Sequence, residues 1–552
     1  MKTFPSLSNL AQRVRPHVRA KVPFKVGIYG TDPRWSNEDL DPVPVKAQTW
    51  GGIDYWAYWT SDMLAPPLAA TVSTVMSLGF TARETIPIVF FGFMICSIVV
   101  TLTGKMGAQY HVAYPVIIRA SFGMYGSYPA IIIRAFVAMM WTAILCVQAG
   151  GFLQNCIEAI WPGFKTFPNH LPADAGIDSA GLLCFFLYWI LQTLLSIMPI
   201  HKLRLLFLAK AIIVPPTFMA LFLWAVIVTK GGGELVTGKM ALTTPMGPAY
   251  SALTGLNVII GLFSSMAVNM PDFGRFSRNH LRGPHQYFAL PIIGTLGALT
   301  PIFVTSAHSH IWGEFEWYMP AVIAKFDSRA AKFFVGASFI LATIGNQIAA
   351  GSFPFSNDIS GLAPQYINIF RGTLLISIFC VISTPWNIIR AASGLLSFLS
   401  GYSCLMGPLA GIIVTDYYIL RGGKLDIHEL YNGTPAGKYW YTGGFNLRAF
   451  VAFVVGFAPT MPGFARAIAG AGKVNVGAAW KVYTFAWLFG FMAASGAYWG
   501  ICTYISSLGG SLCEEAVLPP HVEDVLVGVD DDGSAAQVDV EKAVRVVEKE
   551  EG

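Results

Sequence analysis

Charge is what this chain has least of. Only 12% of its 552 residues are Asp, Glu, Lys or Arg, about half the share found in soluble domains, which excludes an ordinary water-soluble fold. Cysteine is sparse too. The eight cysteines show neither metal-ligand spacing nor a paired framework, so they read as small apolar fillers and not as a zinc module or disulfide scaffold. No nucleophile and base pairing, nucleotide loop or metal cluster is present in the pattern, and an enzyme is not expected. A short apolar leader is also missing. The first 48 residues are polar and basic, so no cleavable signal peptide is expected and the N-terminus is placed in the cytoplasm.

What is present is grease. Hydrophobic residues make up 54% of the chain, and a bilayer core is crossed by about 20 mostly apolar residues per helix. The sequence predicts an all-α polytopic membrane protein with twelve spans: 52–80, 86–107, 128–158, 178–199, 205–229, 250–270, 287–311, 332–356, 372–389, 394–420, 447–465 and 482–506. Three regions follow: a cytosolic tail (1–48), a domain of twelve spans (49–506) and an acidic cytosolic tail (507–552), with both tails expected to be disordered. Lys and Arg concentrate in the loops on the side of the N-terminus, as the positive-inside tendency requires. The net charge of +5 is therefore a topology signal and implies no nucleic-acid partner. The sequon at Asn432 falls in an inner loop and is not read as a glycosylation site.

Two spans contain elements that do not belong in an uninterrupted helix. "YWTSDMLAPPLAATV" places Asp62 just before Pro66 and Pro67. Non-helical backbone at membrane depth is tolerated only where protein or a watery cavity satisfies it, and an ionisable residue there marks a functional site or else caps the second half-helix. The sixth span reads "GLFSSMAVNMPDFGRF", with Ser264, Ser265, Asn269, Pro271 and Asp272. Interrupted helices at matching places in two halves are the mark of inverted-repeat transporters; Asp272 alone also fits the inner end of a plain span anchored by Arg275 and Arg278. Span eight, "ILATIGNQIAAGSFPFSND", adds Asn346 and Gln347, buried amides that need partners or a ligand. Trp141, far from the interfaces where membrane tryptophans collect, offers a face for a planar ligand. His308 and His310 are expected at the surface of an outer span end.

The motifs "NEDLDPVP", "TWGG", "YHVAYPVIIRASFG", "AIWP", "NMPDFGRF", "ATIG", "YINIFRG" and "GYSCLMGPLAGIIVTDYYILR", in this order, resemble the nucleobase cation symporter family one, in its fungal uracil, allantoin and uridine permease branch. The resemblance runs from about residue 24 to about residue 506. It implies twelve spans, with helices one to five and six to ten as inverted five-helix repeats, broken helices one and six, two extra helices, and alternating access. It also implies a plasma-membrane permease, multi-pass with both termini cytoplasmic, carrying a planar nucleobase-like heterocycle by cation symport.

Position by position, the family's stacking tryptophan falls on Trp141 and its second aromatic wall on Phe263. Its substrate-binding glutamine falls on Leu145 and its asparagine in span eight on Gly351, so both polar readers are replaced by apolar residues. Gln148 and Gln347, each one helical turn away, are the expected substitutes. The serine and threonine that hold sodium in sodium-coupled relatives fall on Gly345 and Asn346. With their hydroxyls gone a proton is the expected coupling ion, carried by Asp62 or, second, Asp54; no organic cofactor or metal is implied. Gly407, Pro408 and Gly411 would let span ten bend as an outer gate. Glu38, Asp39 and Asp41 would pair with Arg275 and Arg278 when the inner side is closed. Trafficking or ubiquitination machinery at the tails is a further expected partner, beside the lipid bilayer. Thiamine or nicotinamide riboside on the same scaffold, or a nutrient sensor that does not transport, remain the alternatives.

Overall fold

A computed structural model of the chain describes residues 21–22, 32–172, 174–198, 204–244, 246–279, 285–470 and 473–519. The acidic stretch from 520 onward and most of the first 31 residues, where part of both expected tails falls, lie outside the described residues. Regular structure within them is helical, with only isolated bridges such as Trp50 with Ser277.

Numbered over helices of six residues or more, the order is α1 Gly52–Met63, α2 Pro66–Met76, α3 Ala82–Tyr110, α4 Tyr114–Phe122, α5 Ser127–Ile160, α6 Ser179–Ser196, α7 Arg204–Val228, α8 Gly247–Ser264, α9 His285–Trp312, α10 Met319–Ala324, α11 Arg329–Asn346, α12 Phe353–Leu362, α13 Ile369–Ile382, α14 Ala392–Val414, α15 Leu447–Phe457, α16 Met461–Ala469 and α17 Ala486–Gly500. Among the described residues nine stretches are long and apolar enough to cross a membrane. They fall on nine of the expected spans. Of the other three, span nine is the shorter helix α13, and spans one and six are in pieces.

The break in span one has a simple cause. α1 closes at Met63, and α2 opens with Pro66 and Pro67 in its first turn, where amide hydrogens have no intrahelical acceptor and proline loses nothing. The two prolines therefore start a helix and do not damage one. Span six stops at Ser264 and continues only as the single turns Met266–Asn269 and Pro271–Gly274. Span eight keeps its axis but widens into a π-helical turn over Gln347–Ser352 between α11 and α12, a distortion frequent at functional sites.

Residues 32–50 do not trail away from the body. Trp35, Leu40 and Val43 are buried, and the segment is pinned by Asn37 Nδ2 to Ser360 Oγ (3.0 Å), Arg119 Nη1 to the Trp35 carbonyl (3.0 Å) and Arg275 Nη1 to the Asp39 carbonyl (2.8 Å). Arg275 thus meets Asp39 through its main chain. The Asp39 carboxylate accepts from the Ile369 amide (2.9 Å), and Asp41 accepts from Ser36 Oγ (2.5 Å). Beneath this segment Asp272 is buried and accepts from the Tyr114 amide (2.9 Å), while Arg134 pairs with buried Asp358. These contacts dock the N-terminal segment on that end of the bundle. His308, expected at a surface, is buried, its Nδ1 2.9 Å from the Glu314 carbonyl; His310 is exposed.

α14 packs closely on α17. A Cβ at Gly407 would lie 2.4 Å from the Trp487 carbonyl oxygen, and one at Gly411 2.4 Å from that of Phe491, so glycine lets the two backbones touch, as small residues do between membrane helices. Gly411→Val should lower the thermal unfolding midpoint of the purified protein by several degrees, corresponding to about 1–3 kcal/mol of overpacking. An unchanged midpoint would show that the contact is slack.

Candidate functional site

The gap between α1 and α2 faces span eight. Asp62, in the last turn of α1, is buried. Asn346 closes over it, its Nδ2 donating to the Asp62 carbonyl at 3.0 Å and to Oδ1 at 2.5 Å. One amide side chain thereby satisfies both the freed backbone and one carboxylate oxygen, as the missing helical turn requires.

The second partner of Asp62 comes from span five. Lys210, in α7, is 1% exposed; it makes no direct ion pair with Asp62, and the two charges act on each other across a gap. Neither Asp62 Oδ2 nor Lys210 Nζ has a hydrogen-bond partner within the protein. The lysine is laid across Gly345, where a Cβ would fall 2.7 Å from its Cδ and 3.2 Å from its Nζ. A larger residue at 345 would displace the flexible end of this lysine.

A cavity of about 40 Å3 lies beside this pair, lined by Asp62, Pro67, Trp141, Leu145, Phe263 and Asn346 among others. The two aromatic walls are anchored from behind. Trp141 Nε1 donates to Tyr402 Oη at 3.1 Å, and that hydroxyl in turn donates to the Gly261 carbonyl in α8. Phe263 packs edge-on against Trp59 and Phe93, at 5.5 and 5.8 Å between ring centroids. Ser265 and Met266, at the break in span six, complete the wall with Leu262, Ala350 and Gly351.

Most residues expected at the site meet here: Trp141, Phe263, Leu145, Asn346, Gly351 and Asp62 line one cavity, and Gly345 lies behind it. Three expected residues stand elsewhere. Gln347 accepts from Tyr188 Oη (2.8 Å) and donates to the Thr142 carbonyl (2.8 Å) and Cys146 Sγ (3.0 Å), so its amide is committed to α5 and α6. Gln148 is buried outside the lining, its side-chain oxygen unpartnered. Asp54 is exposed and caps its own helix, accepting from the Gly51 amide at 2.7 Å. At Gly351 a Cβ would sit 2.3 Å from Thr142 Oγ1, so the asparagine of the family pattern would need the Thr142 hydroxyl to turn away. Gly407 and Gly411 face α17.

Lys210 and Tyr402 are the residues that the motifs did not single out. A lysine deep in an apolar run was the available signal for the first; nothing local marked the second.

Comparison with known proteins places this geometry. A family profile described as permease for cytosine/purines, uracil, thiamine, allantoin matches residues 42–490. An uncharacterised permease of Schizosaccharomyces pombe is 31% identical, over 85% of this chain and 80% of its own length. The allantoin permease of Saccharomyces cerevisiae is 29% identical over 85% of this chain and 75% of its own. Among solved structures, the nucleobase-cation-symport-1 family transporter Mhp1, in a closed conformation with bromovinylhydantoin bound, superposes with a TM-score of 0.68, covering 86% of this chain and 98% of its own, at 17% identity. That likeness fixes the fold.

The buried pair is testable as a pair. Lys210→Met leaves the Asp62 carboxylate without its counter-charge, and Asp62→Asn strands the ammonium; each should cost about 3 kcal/mol. The double variant should recover much of that loss in thermal unfolding of the purified protein. Losses that simply add would show that the two groups do not interact.

Proposed function

The chain belongs to the family of permeases for cytosine/purines, uracil, thiamine and allantoin, and from that premise we propose that it imports a small planar heterocycle, such as uracil, allantoin or a related base, by proton symport across the plasma membrane, with both termini in the cytoplasm. The observation that carries this reading is the cavity at the broken helix, walled by Trp141 and Phe263 and bordered by Asp62. Aromatic walls accept a flat ring on its faces.

Coupling follows from the same place. Sodium binding needs several oxygen ligands around an unopposed site, and here Lys210 brings a fixed ammonium against Gly345. A second cation would be repelled from it. A proton exchanged at Asp62 changes the charge of the pair without requiring a metal's ligand shell, and so links solute binding to the proton gradient.

Alternating access is also consistent with the dimensions. The central cavity is only about 40 Å3, room for a few waters and too small for a heterocycle. Solute therefore enters only when the walls part, which the gap between α1 and α2, the break in span six and the π turn in span eight permit. Gly407, Pro408 and Gly411 supply the outer gate in this scheme. A vitamin or nucleoside cargo is favoured by one observation: Leu145 and Gly351 leave the cavity with few polar readers of a nucleobase edge.

Uptake of labelled uracil and allantoin into cells lacking their own carriers, competed by unlabelled pyrimidines, purines, hydantoins, thiamine and nicotinamide riboside, tests the reading. Uptake should collapse with a protonophore, and Trp141→Ala should reduce it at least tenfold. Binding of these compounds with no uptake by the wild type would instead identify a sensor.

A further inference from the structure

A second and larger cavity, about 300 Å3, opens at the end of the bundle opposite the N-terminal segment. Its walls come from the second half of α5, the start of α6, the short helix α10 and the connector between α13 and α14. α5 serves both cavities. Trp141 and Leu145 face the central one, while Val147, Gly151, Gln154 and Glu158 face this one. At 3.6 residues per turn the two sets point about a third of a turn apart, and Gln148, buried with an unpartnered oxygen, falls between them.

The floor is thin. Tyr318 Oη reaches the Val147 carbonyl at 3.4 Å, and a Cβ at Gly151 would lie 3.0 Å from that hydroxyl and 2.9 Å from Pro320 Cβ. α10 therefore lies directly on α5.

The chemistry of the walls differs from that of the central cavity. Trp386 offers a half-buried aromatic face. Glu158 accepts one hydrogen bond from a side chain, Gln154 Nε2 at 3.2 Å, and a carboxylate has further lone pairs to offer. Arg390 makes one long contact, to the Asp174 carbonyl at 3.4 Å, out of five donors. Asp178 is occupied in capping α6, accepting from the Gly181 amide at 2.8 Å. A flat ring with N–H beside C=O finds an acceptor in Glu158, a donor in Arg390 and a stacking face in Trp386. The central cavity, with Leu145 and Gly351 where polar readers are expected, offers less of this.

We propose that the outer cavity is a loading subsite for planar heterocycles bearing adjacent N–H and C=O groups, and that the polar edge of the solute is selected there before the ring passes to Trp141 and Phe263. This rests on the transport reading above.

The test uses the full chain and labelled uracil and allantoin. Arg390→Gln and Trp386→Ala should raise KM about tenfold, as loss of a polar or stacking partner does, with maximal uptake within twofold, and Trp386→Phe should restore KM. Because a variant could fail to reach the membrane, Ala321→Cys, which lines the cavity, provides a second measurement. Uracil or allantoin added outside should slow its labelling by an impermeant maleimide even when Trp141→Ala has disabled the central cavity. Wild-type KM values in the wall variants, or protection that disappears with Trp141→Ala, would reduce the cavity to a passage and leave the transport reading intact. Failure of the wild type to take up any compound of the panel would remove that reading, and this inference with it.

Discussion

A carboxylate and an ammonium group are buried beside the central cavity, and the rest of the site is arranged around them. Asp62 and Lys210 come from spans one and five and are both almost fully buried. Isolated charges at that depth cost several kcal/mol each, so each offsets part of the cost of burying the other. Asn346 makes the pocket workable by satisfying the carbonyl freed at the helix break together with one carboxylate oxygen. Gly345 does so by leaving space for the lysine stem. Four residues on three spans thus form one unit that links broken helix, ion and cavity.

The two ends of the bundle are built differently. Beside the N-terminal segment, Asp272, Arg134, Asp358 and Arg275 are buried under residues 32–50, and their hydrogen bonds draw together α4, α5, α12 and the end of span six. At the opposite end a cavity of about 300 Å3 stands open.

Much of this was legible in the sequence because composition and proline act locally. Apolar runs of bilayer length, and Pro66 and Pro67 beside Asp62, are properties of short segments, and the spans and the break in the first of them followed. Trp141 and Phe263, Leu145 and Gly351 came from motif order, and the structure brings them to one cavity. What escaped were contacts made across the fold. Lys210 stands out in its apolar run, but its role is set only where α7 crosses Gly345. Gln347 lies one turn from Gly351, but the π turn that begins at it and the neighbouring Tyr188 and Thr142 claim its amide. The N-terminal segment is polar in sequence, yet Trp35 and Leu40 bury against the body, a docking that composition averaged over 48 residues conceals.

The central claim is that a resident ammonium group replaces a transported metal cation and that the moving charge is a proton exchanged at Asp62. The most direct test is the proton-to-solute ratio in sodium-free proteoliposomes, read from a pH dye inside the vesicles while labelled solute enters. One proton per solute, abolished in Asp62→Asn, is the result expected. Solute entry that requires sodium and leaves internal pH unmoved would contradict it.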